Sequence, residues 1–280
     1  MSNNLLRILT GLVGIPVVIG LTYLGGVPFL ALVAVLALLA QLEMYHLLRA
    51  AGTAPLVVPG LVLGGLVLLQ SIYPPAFGVA LALLILGLAY SPFVRTGASA
   101  EEAPVAGPVS MAATLFGVIY PTALLSSLVE IRSGAGDLGD DMDAFALTVA
   151  TLILVWTTDT LAYFIGRSIG KRPFAPSISP KKTWEGTIGG AVSAIAVGVL
   201  LKFTLLASLG WIHVIAISMI CGVLGQLGDL AESKMKRSAG VKDSGALLPG
   251  HGGMLDRFDS MILVAPAVYL YLRYIVQASG

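Results

Sequence analysis

The chain has 280 residues and a mass of 28.9 kDa; 57% of it is hydrophobic and only 11% charged, where soluble proteins average about 45–50% and about 25%. A mean hydropathy of +0.93 spread over the whole length excludes a soluble domain with one anchor, and also disorder, collagen and coiled coil. Sixteen basic and 15 acidic residues leave a net charge of +1, so no global field draws in a nucleic acid and no nucleic-acid partner is expected.

A helix needs about 20 apolar residues to cross a bilayer. Nine candidate spans follow in chain order, over residues 5–24, 28–48, 56–73, 76–94, 108–129, 145–166, 186–207, 211–231 and 258–277. The first is long for a signal-peptide core and lacks a small-x-small cleavage site. Gly25, Gly26 and Pro28, then Pro55 and Pro59, Pro74 and Pro75, Pro104 and Pro108, and the Gly-Asp stretch 134–143 separate the early spans, as turn chemistry should. The third and fourth are short and rich in glycine. The expected fold is therefore all-α, a polytopic integral membrane protein in one membrane domain, 1–280. Its first part, 1–144, is mainly hydrophobic helix; the second half, 145–280, carries most of the polar residues, with loops 167–185 and 232–257. No repeat or flexible linker interrupts it. The lone Cys221 in an apolar stretch offers neither a disulfide nor a cysteine zinc site and reads as a small buried hydrophobe.

Alternate loops must fall on alternate sides, and the basic residues sort unevenly. Thirteen, Arg7, Arg49, Arg95, Arg167, Lys171, Arg172, Lys181, Lys182, Lys234, Lys236, Arg237, Lys242 and Arg257, fall on one side. Arg132, Lys202 and Arg273 fall on the other. The positive-inside rule makes the richer side cytoplasmic, with the amino terminus inside and the carboxyl terminus outside. The loop with Asp137, Asp140, Asp141 and Asp143 is then outside; it lacks calcium-loop spacing and reads as a solvated loop.

Ionisable groups inside a span are costly unless paired, hydrated or coordinated, so each is a functional candidate. Asp159 lies seven residues before Gly166, roughly 10 Å along a helix from the basic loop. Asp229 and Glu232 end the eighth span, Asp256 and Asp259 open the ninth, and Glu43 and His46 close the second, all near the cytoplasmic face. The segment 226–260 is the densest. On a helix Asp229, Glu232, Ser233 and Lys236 share one face. Lys236, Arg237, Lys242 and Asp243 lead to His251, Gly252 and Gly253 before a helix near Asp256. Adjacent glycines let backbone approach an anion, and amides at a helix start favour negative charge. Carboxylates such as Asp229 and Asp256 beside several cations are what a magnesium polyphosphate requires. Anchoring to anionic lipid headgroups would explain the basic residues but not the acids interleaved with them.

A second cluster spans residues 166–190, where Pro173, Pro176 and Pro180 forbid a regular helix. Gly166 to Lys171 gives a G-x-x-x-G-K pattern one residue short of a phosphate loop, with Arg172 in place of its Ser or Thr, so an ATPase is rejected. The loop instead offers Lys181 and Lys182, with Arg167, to a triphosphate. The Gly60/Gly64 and Gly186/Gly190 pairs have GxxxG spacing, weak evidence for helix packing in a chain with 33 glycines.

The run Ser233, Lys236, Arg237, Lys242, Asp243, Gly245, Leu248, Pro249, His251, Gly252, Gly253, Asp256, Arg257 and Asp259 resembles the signature of the phosphatidate cytidylyltransferases, the CDP-diacylglycerol synthases, with no departure in spacing. Asp159 with the following AYFIGRSIGK, and the SPKKTWEG stretch, are similar to regions of the same family. Over the first half the resemblance rests on hydropathy alone. It implies a multi-pass enzyme of the cell inner membrane, its active site facing the cytoplasm, that joins CTP to phosphatidic acid and releases pyrophosphate. It also implies nine spans, a homodimer, magnesium dependence, and a cation pair held by acids, with potassium a candidate for the second ion. By motif position the metal acids are Asp229 and Asp256, with Asp159 a further candidate.

The attacking phosphate monoester has a second pKa near 6, so it is already ionised at pH 7 and needs no dedicated base. The obstacle is repulsion between a dianion and a nucleotide carrying four charges. Lys181, Lys182, Lys236, Arg237 and Lys242 are expected to clamp the phosphates, with Asp159 and Asp243 orienting metal ligands or lysines. Rival readings are a secondary transporter with intramembrane carboxylates, a non-catalytic lipid scaffold, and a cytidylyltransferase acting on another membrane phosphate.

Overall fold

The computed structural model describes residues 3–90, 107–134, 141–245 and 252–277. Its helices are α1 (Asn3–Leu24), α2 (Gly26–Ala50), α3 (Val57–Leu69), α4 (Pro75–Tyr90), α5 (Gly107–Gly117), α6 (Leu124–Arg132), α7 (Asp141–Ile169), α8 (Trp184–Leu201), α9 (Trp211–Ser238) and α10 (Leu255–Tyr271). A π-helical stretch, Val118–Ala123, joins α5 to α6, and another, Leu272–Val276, extends α10. The first contains Pro121, which has no N–H to give to the carbonyl one turn back, so the ladder widens there.

Among the described residues six helical segments are long and apolar enough to cross a membrane: Gly26–Ala50, Gly107–Arg132, Asp141–Ile169, Trp184–Leu201, Trp211–Ser238 and Leu255–Val276. The chain is an integral membrane protein. Three shorter apolar helices, Gly11–Leu24, Val57–Leu69 and Pro75–Ala89, occupy the positions read as the first, third and fourth spans. Large apolar side chains such as Leu12, Ile85, Ile188 and Ile212 stand exposed on these helices, as they must where lipid replaces water. Arg95, Pro104, Asp137 and Asp140 lie outside the described residues.

The chain divides into two compact units, neither continuous in sequence. The first comprises Met1–Leu32, Ser127–Lys234 and Arg257–Gly280; the second, Val33–Ser126 and Met235–Asp256.

In the first unit α7 packs most extensively on α8. Small residues allow the close approach: a Cβ on Gly186 would lie 2.7 Å from the Ala162 carbonyl oxygen, and one on Gly190 2.8 Å from the Ala162 Cβ. Between these helices the prolines of the 173–180 stretch produce a short antiparallel hairpin, β1 (Pro173–Ala175) with β2 (Ser179–Thr183). Thr183 then caps α8, accepting from the Gly186 amide at 3.2 Å. Glu185 accepts the Lys171 and Arg172 amides at 3.0 and 3.2 Å, and Phe174 meets Trp184 edge to face at 4.6 Å. The hairpin is thereby fixed to the start of α8. Elsewhere in this unit the buried Arg132 pairs with Asp141 and donates to the Thr22 and Tyr23 carbonyls.

In the second unit α3 packs on α4, α5 and the first π stretch, around Leu63, Ala80 and Val118. A buried polar network ties α2 to its neighbours. Gln41 donates to the Tyr45 hydroxyl and the Gly60 carbonyl, Tyr45 donates to the Thr114 carbonyl, and Thr122 donates to Gln41. Each polar atom so satisfied avoids the cost of burial without a partner.

Candidate active site

Within the first unit a cavity of ≈ 590 Å³ is lined by Asp159, Tyr163 and Arg167 from α7, by Ser179, Lys181, Lys182 and Thr183 from β2, by Gly186 and Thr187 from α8, and by Gln226 and Asp229 from α9. Five of the residues singled out in the sequence, Asp159, Arg167, Lys181, Lys182 and Asp229, therefore share one wall-to-wall space. The hairpin brings this about, because it returns the chain over the end of α7 and delivers both lysines. Lys182 Nζ stands 2.7 Å from Asp229 Oδ2, with the side chains 23% and 32% exposed. Asp229 also accepts from Ser233 Oγ, one turn on, at 3.2 Å. Arg167 donates to the Tyr163 hydroxyl at 3.0 Å, which turns its guanidinium along the helix.

Carboxylates accumulate beside this pair. Asp159 faces the charges of Asp229 and Lys182 and accepts from Ser260 Oγ at 3.4 Å. Asp259 faces Asp229, Glu232 and Asp159, and Glu232 is fully buried. Asp159, Asp229, Glu232 and Asp259 thus bring carboxylates from three helices, α7, α9 and α10, to one region, with the hairpin's Lys182 against Asp229 and Asp159. Among the described residues no three His, Cys, Asp or Glu side chains close into a protein-only metal cage. Asp159 and Asp229 supply two carboxylates on the cavity wall, a donor set of the kind a hard cation completes with water and substrate oxygens.

In the second unit Asp256 is the centre. Its Oδ1 takes the Lys236 ammonium at 2.5 Å, and its Oδ2 accepts from the Ser244 and Gly253 amides at 3.0 and 2.9 Å and contacts Ser244 Oγ at 3.0 Å. Lys236 and Asp256 are both nearly buried, with side chains 10% and 8% exposed. Gly252 adopts φ = 80°, a left-handed turn open to glycine, and so lets the chain double back to give Asp256 the Gly253 amide. Arg237 donates to the Val241 carbonyl at 2.9 Å and is exposed, as are Lys242 and Asp243. Arg257, the first residue of α10 assigned to the other unit, is exposed too. Leu248, Pro249 and His251 lie outside the described residues.

Residues 5–275 match the model of the cytidylyltransferase family. The chain belongs to that family. A Bacillus subtilis protein named phosphatidate cytidylyltransferase is 34% identical over 279 residues, covering 95% of this chain and 96% of that one. A Synechocystis protein of the same name is 32% identical, covering 95% of each chain. A Brucella abortus protein, again so named, is 47% identical over 133 residues, 48% of this chain and 49% of its own. This cytidylyltransferase is accordingly a membrane-embedded nucleotidyltransferase, and its similarity to relatives extends over the first half, where the sequence had offered hydropathy alone.

Several residues of the site were not anticipated. Tyr163, Thr183, Thr187 and Gln226 line the cavity but carry no charge inside a span, which was the signal followed. Glu43 did carry that signal. It was noted as a polar residue closing the second span, and the structure sets its buried carboxylate against Ser244 and the Met254 and Leu255 amides.

Proposed function

We propose that this cytidylyltransferase joins CTP to phosphatidic acid, giving CDP-diacylglycerol and pyrophosphate for phospholipid synthesis. The observation that carries the reading is the family match over residues 5–275, and the chemistry of the two residue sets agrees with it. Lys181, Lys182 and Arg167 line a cavity large enough for a nucleotide's polyphosphate, and their cations would neutralise and align it. Lys236, Arg237 and Lys242 would serve phosphate oxygens in the same way, with Ser233, Gly252, Gly253, His251 and Arg257 completing the substrate-binding set. The phosphatidate phosphate attacks the α-phosphorus of CTP, forming the new P–O bond as the bond to pyrophosphate breaks. No proton has to be removed by the protein, because that monoester is ionised near neutral pH.

Asp229 and Asp159 in the first unit and Asp256 in the second are the carboxylates assigned to cation binding, with potassium a candidate alongside magnesium. Bound magnesium would offset phosphate charge and polarise the phosphoryl oxygens. Lys182 and Lys236 pair with Asp229 and Asp256 and hold them in place. Asp243 is assigned to orienting the neighbouring lysines.

We place the active site at the cytoplasmic face of the inner membrane of a nine-span protein, where CTP is available and phosphatidate keeps its acyl chains in lipid, and we expect a homodimer. The test is pyrophosphate release by purified protein in detergent. Release should need CTP, phosphatidic acid and magnesium together and be lost in Asp256→Asn. Full release from another membrane phosphate and none from phosphatidate would replace the acceptor; counterflow in proteoliposomes without release would favour transport.

A further inference from the structure

Glu43 lies in α2 with only 6% of its surface exposed. A carboxylate buried in an apolar helix persists only where partners replace water, and here, among the described residues, the hydrogen bonds come from the segment that carries the signature. Oε1 accepts from the Met254 amide at 2.9 Å, and Oε2 accepts from the Leu255 amide at 2.8 Å and from Ser244 Oγ at 2.9 Å. Met254 and Leu255 open α10, where unpaired amides and the helix dipole favour negative charge. The carboxylate is therefore the cap of that helix, supplied from about 200 residues upstream.

The same Ser244 hydroxyl lies 3.0 Å from Asp256 Oδ2, which in turn holds the Ser244 and Gly253 amides. Glu43 and Asp256 thus grip one serine and one turn of backbone from opposite ends. Two signature glycines follow from this. A Cβ on Gly245 would lie 2.6 Å from Glu43 Oε1, and one on Gly253 would lie 2.4 Å from Glu43 Oε2 and 2.1 Å from Ser244 Oγ. The space a side chain would need there is filled by Glu43 and the serine it holds.

We propose that Glu43 is a positioning residue for cytidylyl transfer: it fixes Ser244 and the 253–255 turn so that Asp256 is held in its working orientation. The proposal rests on the reading of Asp256 as a functional acid. Glu43 acts through Asp256 and is not itself assigned a substrate contact. Glutamine at this position keeps one acceptor but turns an NH₂ group toward amides that also donate. Aspartate is one methylene too short to reach them.

The test compares full-length variants in detergent, by steady-state pyrophosphate release and thermal unfolding. Glu43→Gln and Glu43→Asp should lower kcat by about 10²-fold while the KM for CTP stays within about threefold, the pattern of a misplaced group acting on the chemical step. Ser244→Ala, which cuts the link and leaves the cap amides bound, should lower kcat by about tenfold. Combined with Glu43→Gln it should add little, because both changes act on the same oxygen of Asp256. Tyr45→Phe, two residues away on α2, removes hydrogen bonds to Gln41 and Thr114; it should lower the unfolding temperature and leave kcat alone. Wild-type kcat in folded Glu43→Gln, or in Ser244→Ala if Glu43→Gln does not fold, with Asp256→Asn inactive, would overturn the proposal. Normal turnover in Asp256→Asn would overturn the reading beneath it, and the proposal with it.

Discussion

Lys182 and Asp229 are 2.7 Å apart in a partly enclosed cavity, which makes them more than a surface ion pair. An exposed pair contributes little, whereas a cation fixed beside a reacting phosphate acts where water no longer screens it. Lys182→Ala should therefore reduce turnover by about 10²-fold, with little change in thermal stability. Asp229→Asn should do at least as much, because it removes the carboxylate proposed above for cation binding and leaves the Lys182 charge unpaired. Pyrophosphate release alongside unfolding temperature measures both; a Lys182→Ala enzyme with ordinary turnover would remove this lysine from the phosphate clamp. Both residues were legible in the sequence, one as an acid inside a span and the other in a basic run with no helical alternative. Asp259 was legible as an acid but not as a neighbour of Asp159 and Asp229, since that proximity is made by three helices meeting. Glu43 was legible as an acid closing the second span, but its partners were not, because the amides it caps are invisible in any side-chain pattern.

At the scale of elements, the contact between α7 and α8 depends on glycine. The Gly186 and Gly190 spacing was weak evidence among 33 glycines; what decides such a case is what a methyl group would meet, and that is tertiary information. On Gly186 it would meet backbone, the Ala162 carbonyl at 2.7 Å and Gly166 Cα at 2.9 Å. Backbone cannot rotate aside, so Gly186→Ala should push the helices apart, costing about 1–3 kcal/mol, and should lower activity because both helices line the cavity. Gly65 in α3 is the contrasting case, with nothing within 4 Å of its added Cβ. Gly65→Ala should stabilise α3 by about 0.5–1 kcal/mol through lost chain entropy. Opposite shifts of the unfolding temperature in detergent would bear out the distinction, and equal shifts would refute it. The prolines of 173–180 correctly excluded a helix, but the hairpin they permit was not read, because its strands of three and five residues show no alternation of apolar and polar side chains.

For the whole molecule, sidedness follows from charge and from parity. The division into two discontinuous units was not legible, since it depends on which distant segments pack together, but the order of apolar helices was. The helices α3 and α4 have 13 and 16 residues, roughly 20 and 24 Å at 1.5 Å per residue, against a hydrocarbon core of about 30 Å. They are consecutive, so the sidedness of everything after them is the same whether the pair crosses or turns back. The orientation of the loops bearing Lys181, Lys182, Lys236 and Lys242 therefore depends on the remaining helices alone, where the basic residues gather on one side. A reporter after Gly280 should be external, and one at the amino terminus cytoplasmic. Tyr73, exposed between α3 and α4, separates the two cases for the short pair. In a Cys221→Ser background, Tyr73→Cys should react with an impermeant thiol reagent from outside if both helices cross, with bilayer thinning and tilt of neighbours absorbing the mismatch. Labelling only from the cytoplasmic side would make α3 and α4 a re-entrant pair and leave seven spans. An external amino terminus with an internal carboxyl terminus would instead overturn the charge argument itself, and with it the placement of the active site at the cytoplasmic face.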